Sequence, residues 1–240
     1  MDRTGDPSNP TRWVHRIPRA PLVDRAEFLI DRARAKSVVH LGFADVGLTE
    51  AKRGGGTWLH AQLAEVATDA AGIDLDEDAV TRARALGYAA HVADCQRPGA
   101  LAALGLAPAE VVVAGELIEH LDLPGAFLDE VGSLVSDGGS LVITTPNAQR
   151  LTNVVGALLG RDIVSGEHVG WHSWKTLDTL LRRHGWRLEE LAYYANPSAS
   201  GGGALGAAAR VFRVLARPLL SLRPALADGL VAVARRSPAD

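Results

Sequence analysis

Cysteine, methionine and aromatic residues are all scarce in this 240-residue chain. Cys95 is the lone cysteine, and Phe, Trp and Tyr together make up 5%. A single cysteine excludes an intrachain disulfide framework and any metal cluster built only from thiolates, and it favours a reducing, cytoplasmic compartment. A basic excess is missing too. Lys+Arg number 25 against Asp+Glu 28, a formal net charge of -3, which argues against a protein whose main task is to grip a nucleic-acid backbone. No apolar run reaches the roughly 18 residues of a transmembrane helix. The polar, proline-rich start from Met1 to Pro21 lacks the apolar region of a secretory signal. The most hydrophobic late stretch, Ala204–Leu222, is interrupted by Arg210, Arg213, Arg217 and Pro218.

What remains is an ordinary globular composition, 47% hydrophobic and 22% charged, long enough to bury a substantial core. From Leu22 onward, short β-branched runs alternate with segments of helical spacing. The runs are Ser37–Phe43, Ala71–Leu75, Ala89–Ala93, Glu110–Gly115 and Ser140–Thr145; the helical segments are Leu22–Ala35, Trp58–Val66, Asp76–Leu86, Leu123–Val135 and Trp174–His184. Such alternation predicts a mostly parallel sheet with helices on both faces. Trp186–Tyr194 and Gly229–Arg235 read as two further strands, paired antiparallel, around the tract Ser198–Gly203 and a helical insertion at about 197–225. The reading is one domain over 22–240, preceded by a segment, 1–21, that could fold over the site as a lid or remain a loose tail.

Ligands of open α/β sheets bind beyond the carboxyl ends of the strands, where the strand order reverses. Polar residues sit at those ends here: His40-Leu41-Gly42, Asp74-Leu75-Asp76, Asp94-Cys95 and Gly115-Glu116. A carboxylate ending the second strand can accept bonds from both ribose hydroxyls, and an Asp-Cys pair ending the third suits an adenine. Each acid alone could equally be a helix cap, Asp76 above all. Thr57, after Gly54-Gly55-Gly56, is the expected cap of the helix that follows.

The ordered blocks VVHLGFAD, GIDLDEDAV, VADC, VVVAGELIEHL and GGSLVITTPN resemble those of the class I S-adenosylmethionine (SAM) dependent methyltransferases, over about Val38 to Tyr194. The likeness is to the small-molecule O-methyltransferase branch. It implies a Rossmann-like seven-stranded sheet whose final strand is antiparallel. It also implies that Gly42 faces the methionine part of SAM, Asp74 the ribose, Asp94 with Cys95 the adenine, and Glu116 the methyl-bearing end, with Leu75 a further cofactor-binding residue. One departure stands out: His40 occupies the place of the usual acid, and of the usual glycines only Gly42 is in register.

Glu116-Leu117-Ile118-Glu119-His120 carries the chemistry. In a helical turn its two carboxylates and imidazole share a face, and oxygen-rich donors favour Mg²⁺ or Mn²⁺. The ubiquinone-biosynthesis enzymes and the small-RNA 2′-O-methyltransferases share this E-x-x-E-H element. By that resemblance Glu116, Glu119, His120 and His168 hold one metal ion that grips a vicinal diol, leaving His172 as the base; His120 is the other candidate base. The other reading has no metal, with Glu116 on SAM and His120 as base or scaffold. His60, in an apolar stripe, reads as a core histidine. Trp171 and Trp174 flank His172, the second expected to pack.

The expected activity is methyl transfer to a hydroxyl of a small molecule or glycan, sugar-like diols being preferred because aromatics are few. An RNA terminal 2′-O-methyltransferase and a non-catalytic SAM-binding module are the rivals; the acidic balance speaks against nucleic acid. The insertion, with Val211, Phe212, Leu215 and Leu219, reads as a cap over the acceptor, a homodimer contact or, ranked last, a membrane-surface helix.

Overall fold

The computed structural model describes residues 14–44, 54–195 and 214–237. The expectations placed on the first part of the 1–21 segment, on Ser198–Gly203, Arg210 and Arg213, and on the first part of the insertion lie outside these residues. In chain order the elements are β1 (Leu22–Val23), α1 (Arg25–Ala33), β2 (Ser37–Leu41), α2 (Leu59–Val66), β3 (Asp69–Asp74), α3 (Glu77–Ala85) and β4 (Ala89–Val92). Then come β5 (Ala109–Gly115), α4 (Pro124–Glu130), β6 (Val135–Pro146), α5 (Leu151–Leu158), α6 (Trp174–Arg183), β7 (Trp186–Tyr194) and β8 (Gly229–Arg236).

The strands form one sheet in the order β1-β7-β8-β6-β5-β2-β3-β4. All neighbours are parallel except β8, which runs antiparallel to both β6 and β7. The sheet therefore has eight strands rather than the expected seven. The extra one is the two-residue β1, where Leu22 and Val23 pair with Tyr193 and Tyr194. It takes the start of what helical spacing assigned to Leu22–Ala35, because Asp24 accepts the Glu27 N–H at 3.0 Å and caps α1 there.

Alternation along the central strands explains why both faces are covered. Val39, Leu41, Val112, Ala114, Leu141 and Ile143 pack in one buried cluster with Phe127, Leu128, Leu177 and Leu181 of α4 and α6. Val38, Val111, Val113 and Val142 pack in a second with Leu29, Leu59 and Leu63 of α1 and α2. Side chains of period two thus feed two cores from one sheet. Ser173 and Thr176 form a reciprocal capping box at the start of α6, while the cap position of α2 falls on Trp58 rather than Thr57.

Strand order reverses between β2 and β5. Their carboxyl ends flank the crevice where open α/β sheets take ligands. No helix among the described residues is long and apolar enough to cross a membrane.

Candidate active site

At the end of β2 the chain turns on Gly42, whose φ of 65° is a conformation that glycine adopts without strain. Its N–H donates to the Ile73 carbonyl at 2.9 Å. A Cβ on Gly42 would meet Leu117 at 3.1 Å, so the β2 turn and the chain after β5 approach closely.

Asp74 ends β3. One carboxylate oxygen accepts the Ala44 N–H at 2.9 Å and the other the Asp76 N–H at 3.1 Å. Burial raises its pKa, against the pull of these N–H groups. Asp76 caps α3 by accepting from Ala79 N–H at 2.9 Å. The two acids thus divide their work: Asp76 is the helix cap, and Asp74 is a carboxylate oriented by loop backbone with further lone pairs to offer. Leu75 beside it is 67% exposed. Asp94 accepts from Gln96 N–H at 2.9 Å. The Cys95 thiol packs into the core and burial pushes its pKa up to about 12, so the sulfur is inert and any ligand contact there falls to main chain.

At the end of β5, Glu116 has a φ of 54°, a left-handed conformation that costs a non-glycine residue on the order of 1–2 kcal/mol. Its N–H donates to the Thr144 carbonyl at 2.9 Å and its carboxylate accepts from the Tyr194 hydroxyl. Arg25 of α1 donates to Thr144 Oγ1 at 3.0 Å and lies 5.9 Å from the Tyr194 ring centroid. A Cβ on Gly115 would come within 2.7 Å of that guanidinium. Arg25, Thr144 and Tyr194 escaped the sequence reading. They come from three distant elements, and no spacing joins them.

The E-x-x-E-H segment forms a short 3-10 turn over Ile118–His120 rather than one α-helical face. Glu119 is 1% exposed; one of its oxygens accepts from Thr145 Oγ1 at 3.0 Å, and the other is buried without a partner. Burial, then the charge of Glu116, push its pKa up to about 8. The loop after α5 is tied to this turn, since the Val169 and Gly170 N–H groups donate to the Glu119 carbonyl at 2.9 and 3.0 Å. His120 Nδ1 lies 3.2 Å from the Glu167 carbonyl, and the His120 and His168 rings meet edge to face at 4.7 Å.

One ligand atom from each of Glu119, His120 and His168 lies within 4.8 Å of the other two. Glu116, expected as a fourth ligand, is outside that group; its left-handed backbone turns it toward Tyr194 instead. His172 is also outside it. This imidazole is buried, burial lowers its pKa, and its Nδ1 has no partner; a neutral ring of this kind keeps a basic nitrogen. His172 pairs with Asn147 across a parallel bridge. His60 is a core residue, as expected.

The model of the family described as methyltransferase domain matches residues 53–191. The chain is a class I SAM-dependent methyltransferase. The ubiquinone biosynthesis O-methyltransferase of Parvibaculum lavamentivorans is 29% identical over 76% of this chain and 72% of its own length. The mitochondrial enzyme of that name from Rattus norvegicus is 30% identical over 35% of this chain, a match that spans 26% of the rat protein. Among structures, the small RNA methyltransferase HEN1 aligns over 95% of this chain and 27% of that one, with a TM-score of 0.55 and 16% identity, which bears on the fold alone. In this methyltransferase the ends of β2, β3 and β5 border one crevice, and the 3-10 turn with the loop after α5 forms the wall beside it.

Proposed function

We propose that this methyltransferase moves the methyl group of SAM to a hydroxyl of a small molecule or glycan, with a divalent cation held by Glu119, His120 and His168. The observation that carries the proposal is the buried Glu119 carboxylate, which has one oxygen without a partner and belongs to a group in which one ligand atom from each of Glu119, His120 and His168 lies within 4.8 Å of the other two. A buried carboxyl left half-satisfied is costly, and a dication satisfies it. Two imidazoles and one carboxylate suit Mn²⁺ better than Mg²⁺, which prefers oxygen. When bound, such an ion lowers the pKa of a coordinated hydroxyl.

The chain's own residues supply the rest. Asp74 accepts from the ribose hydroxyls; Leu75, Asp94 and the backbone at Cys95 border the adenine. Arg25 offers its charge to the carboxylate of the methionine part, and Glu116 lies beside the methyl-bearing end. His172 takes the proton as the acceptor oxygen forms its bond to the methyl carbon and the carbon–sulfur bond breaks, leaving S-adenosylhomocysteine and a methyl ether. Holding oxygen, carbon and sulfur in line is the larger share of the task. The O-methylation component draws on the names of the ubiquinone-pathway relatives and on this donor set.

Calorimetry with S-adenosylhomocysteine tests the cofactor half. Asp74→Ala removes charge-assisted bonds worth about 1.5–3 kcal/mol and should weaken binding about 10- to 100-fold. Absence of binding by the unmodified protein at millimolar ligand would overturn the reading.

A further inference from the structure

The wall beside the catalytic cluster continues into an open cleft of about 550 Å³. Trp171, Asn153, Arg161 and Asp162 line it, with the small Ala148 and Gly160 between them. The cleft adjoins the cluster directly. The Trp171 and His168 rings meet at 6.1 Å, and Ala148 N–H donates to the His172 carbonyl at 2.9 Å. Arg150 covers one face of the indole at 4.8 Å and also donates to Asn153 Oδ1 at 2.8 Å, so the platform and the amide beside it are held in place.

We propose that this cleft is an acceptor subsite for a carbohydrate, holding a sugar unit of a glycan next to the unit that is methylated. The inference rests on the methyl-transfer reading above. Three features of the lining select the ligand class. Trp171 offers an aromatic surface to the C–H face of a pyranose, and it is the one aromatic of the lining; a planar catechol or quinol would call for a second aromatic wall. Arg161 and Asp162 place a fork of donors and a carboxylate acceptor side by side, the pairing that reads neighbouring hydroxyls. Among the described residues neither side chain has a hydrogen bond or ion pair. The Asp162 carboxylate repels a phosphate placed beside it, while Arg161 and Arg150 bring two positive charges to the same cleft, and the nucleotide control reads which prevails.

The shape points the same way. Enclosed sites bury most of a small ligand, whereas this cleft is open and covers one side of its occupant, as suits one unit of a longer chain. Leu158 and Leu159 of the same segment are strongly exposed but lie outside the lining.

The test is binding of the full chain, loaded with S-adenosylhomocysteine, to a printed array of diverse glycans, followed by saturation-transfer NMR on the glycans retained. Catechol and adenosine 5′-monophosphate serve as planar and nucleotide controls. The expected result is retention of a set of glycans that share one sugar unit. At least a tenfold loss is expected in Asp162→Ala and Trp171→Ala, with the affinity for S-adenosylhomocysteine unchanged. The exposed Asp162→Asn, which keeps the shape and removes the charge, should lose binding as well. Retention of no glycan by the loaded protein would overturn the proposal, as would saturation transfer to catechol or the nucleotide that disappears in Asp162→Ala. Failure of the protein to bind S-adenosylhomocysteine at all would identify the methyl-transfer reading, not the subsite, as the error.

Discussion

His40 and His60 stack with ring centroids 5.6 Å apart and planes 29° to one another, whereas His120 and His168 meet edge to face at 4.7 Å and 90°. Both pairs contain ring nitrogens without partners. The first pair is buried among aromatic rings, with Phe43, Trp58 and Tyr88 at 4.8, 5.4 and 5.4 Å from His60. The charged group that acts on its His40 from outside the pair is the cation Arg25. The second pair has the Glu119 carboxylate within reach and opens toward the loop that carries Trp171. Proximity of imidazoles is therefore a poor sign of a metal centre. The anionic oxygen in the same small volume is what makes the second pair, and not the first, a group that could hold a metal ion.

The largest expected effect would divide the two pairs outright. Glu119→Ala and His168→Ala should each reduce Mn²⁺ affinity by roughly 100-fold or more, since a divalent ion left with two protein ligands is held mainly by water. His60→Phe should leave that affinity where it was. Electron paramagnetic resonance of free Mn²⁺ reads both directly. If His60→Phe released the ion, or if Glu119→Ala retained it, the distinction drawn here would fail.

The next effect belongs to the buried pair. Burial lowers the His60 pKa to about 4 and that of His40 well below its usual value, the latter helped by the charges of His60 and Arg25. A histidine whose pKa is depressed on folding takes up its proton first in the unfolded chain. Stability is then complete above the unfolded pKa of 6.5 and declines as pH falls from there toward 4, by on the order of 3 kcal/mol for His60. Glu119, whose pKa folding raises to about 8, gains stability over the same range, so the readout is the difference between proteins. In urea unfolding at pH 7 and pH 4.5, His60→Phe should change more favourably on acidification than the unmodified chain. An equal slope in the variant would assign the acid sensitivity to other groups.

The sequence made these regions legible to different degrees. The parallel sheet follows from alternating buried runs, and the five central strand positions agree within a few residues. Glu119 and His120 are legible from residue type and local spacing, while His168, far off in the chain, comes into view only through the resemblance to the E-x-x-E-H methyltransferases. The i,i+3 and i,i+4 spacing that joins Glu116 to Glu119 and His120 presumes an α-helix, whereas the chain makes a left-handed step at Glu116 followed by a 3-10 turn, and Glu116 lies outside the group formed by Glu119, His120 and His168. Helix α5 (Leu151–Leu158) is not among the segments that helical spacing marks out. It is eight residues long with Gly156 inside, and that glycine is required because a Cβ would lie 2.9 Å from the Arg161 carbonyl. Arg25, Thr145 and Tyr194 act through contacts across the sheet, which no local pattern encodes.

Thr145 gives the smallest and most discriminating prediction. Its hydroxyl donates to one oxygen of the Glu119 carboxylate, so under the metal reading it orients a ligand without being one. Thr145→Val keeps the volume and removes the donor. Partners that orient a metal ligand are typically worth 10- to 100-fold in affinity, and with a single neutral donor lost the lower end applies, about tenfold for Mn²⁺. Stability at neutral pH should change by no more than about 1–2 kcal/mol, the cost of one buried bond. No equivalent substitution exists around His60, where ring contacts rather than hydrogen bonds fix the imidazole. A tenfold weaker ion with near-normal stability would mark the Glu119 side as an organised ligand set. Unchanged Mn²⁺ affinity would mean that Thr145 serves the fold alone and that Glu119 needs no orientation to bind.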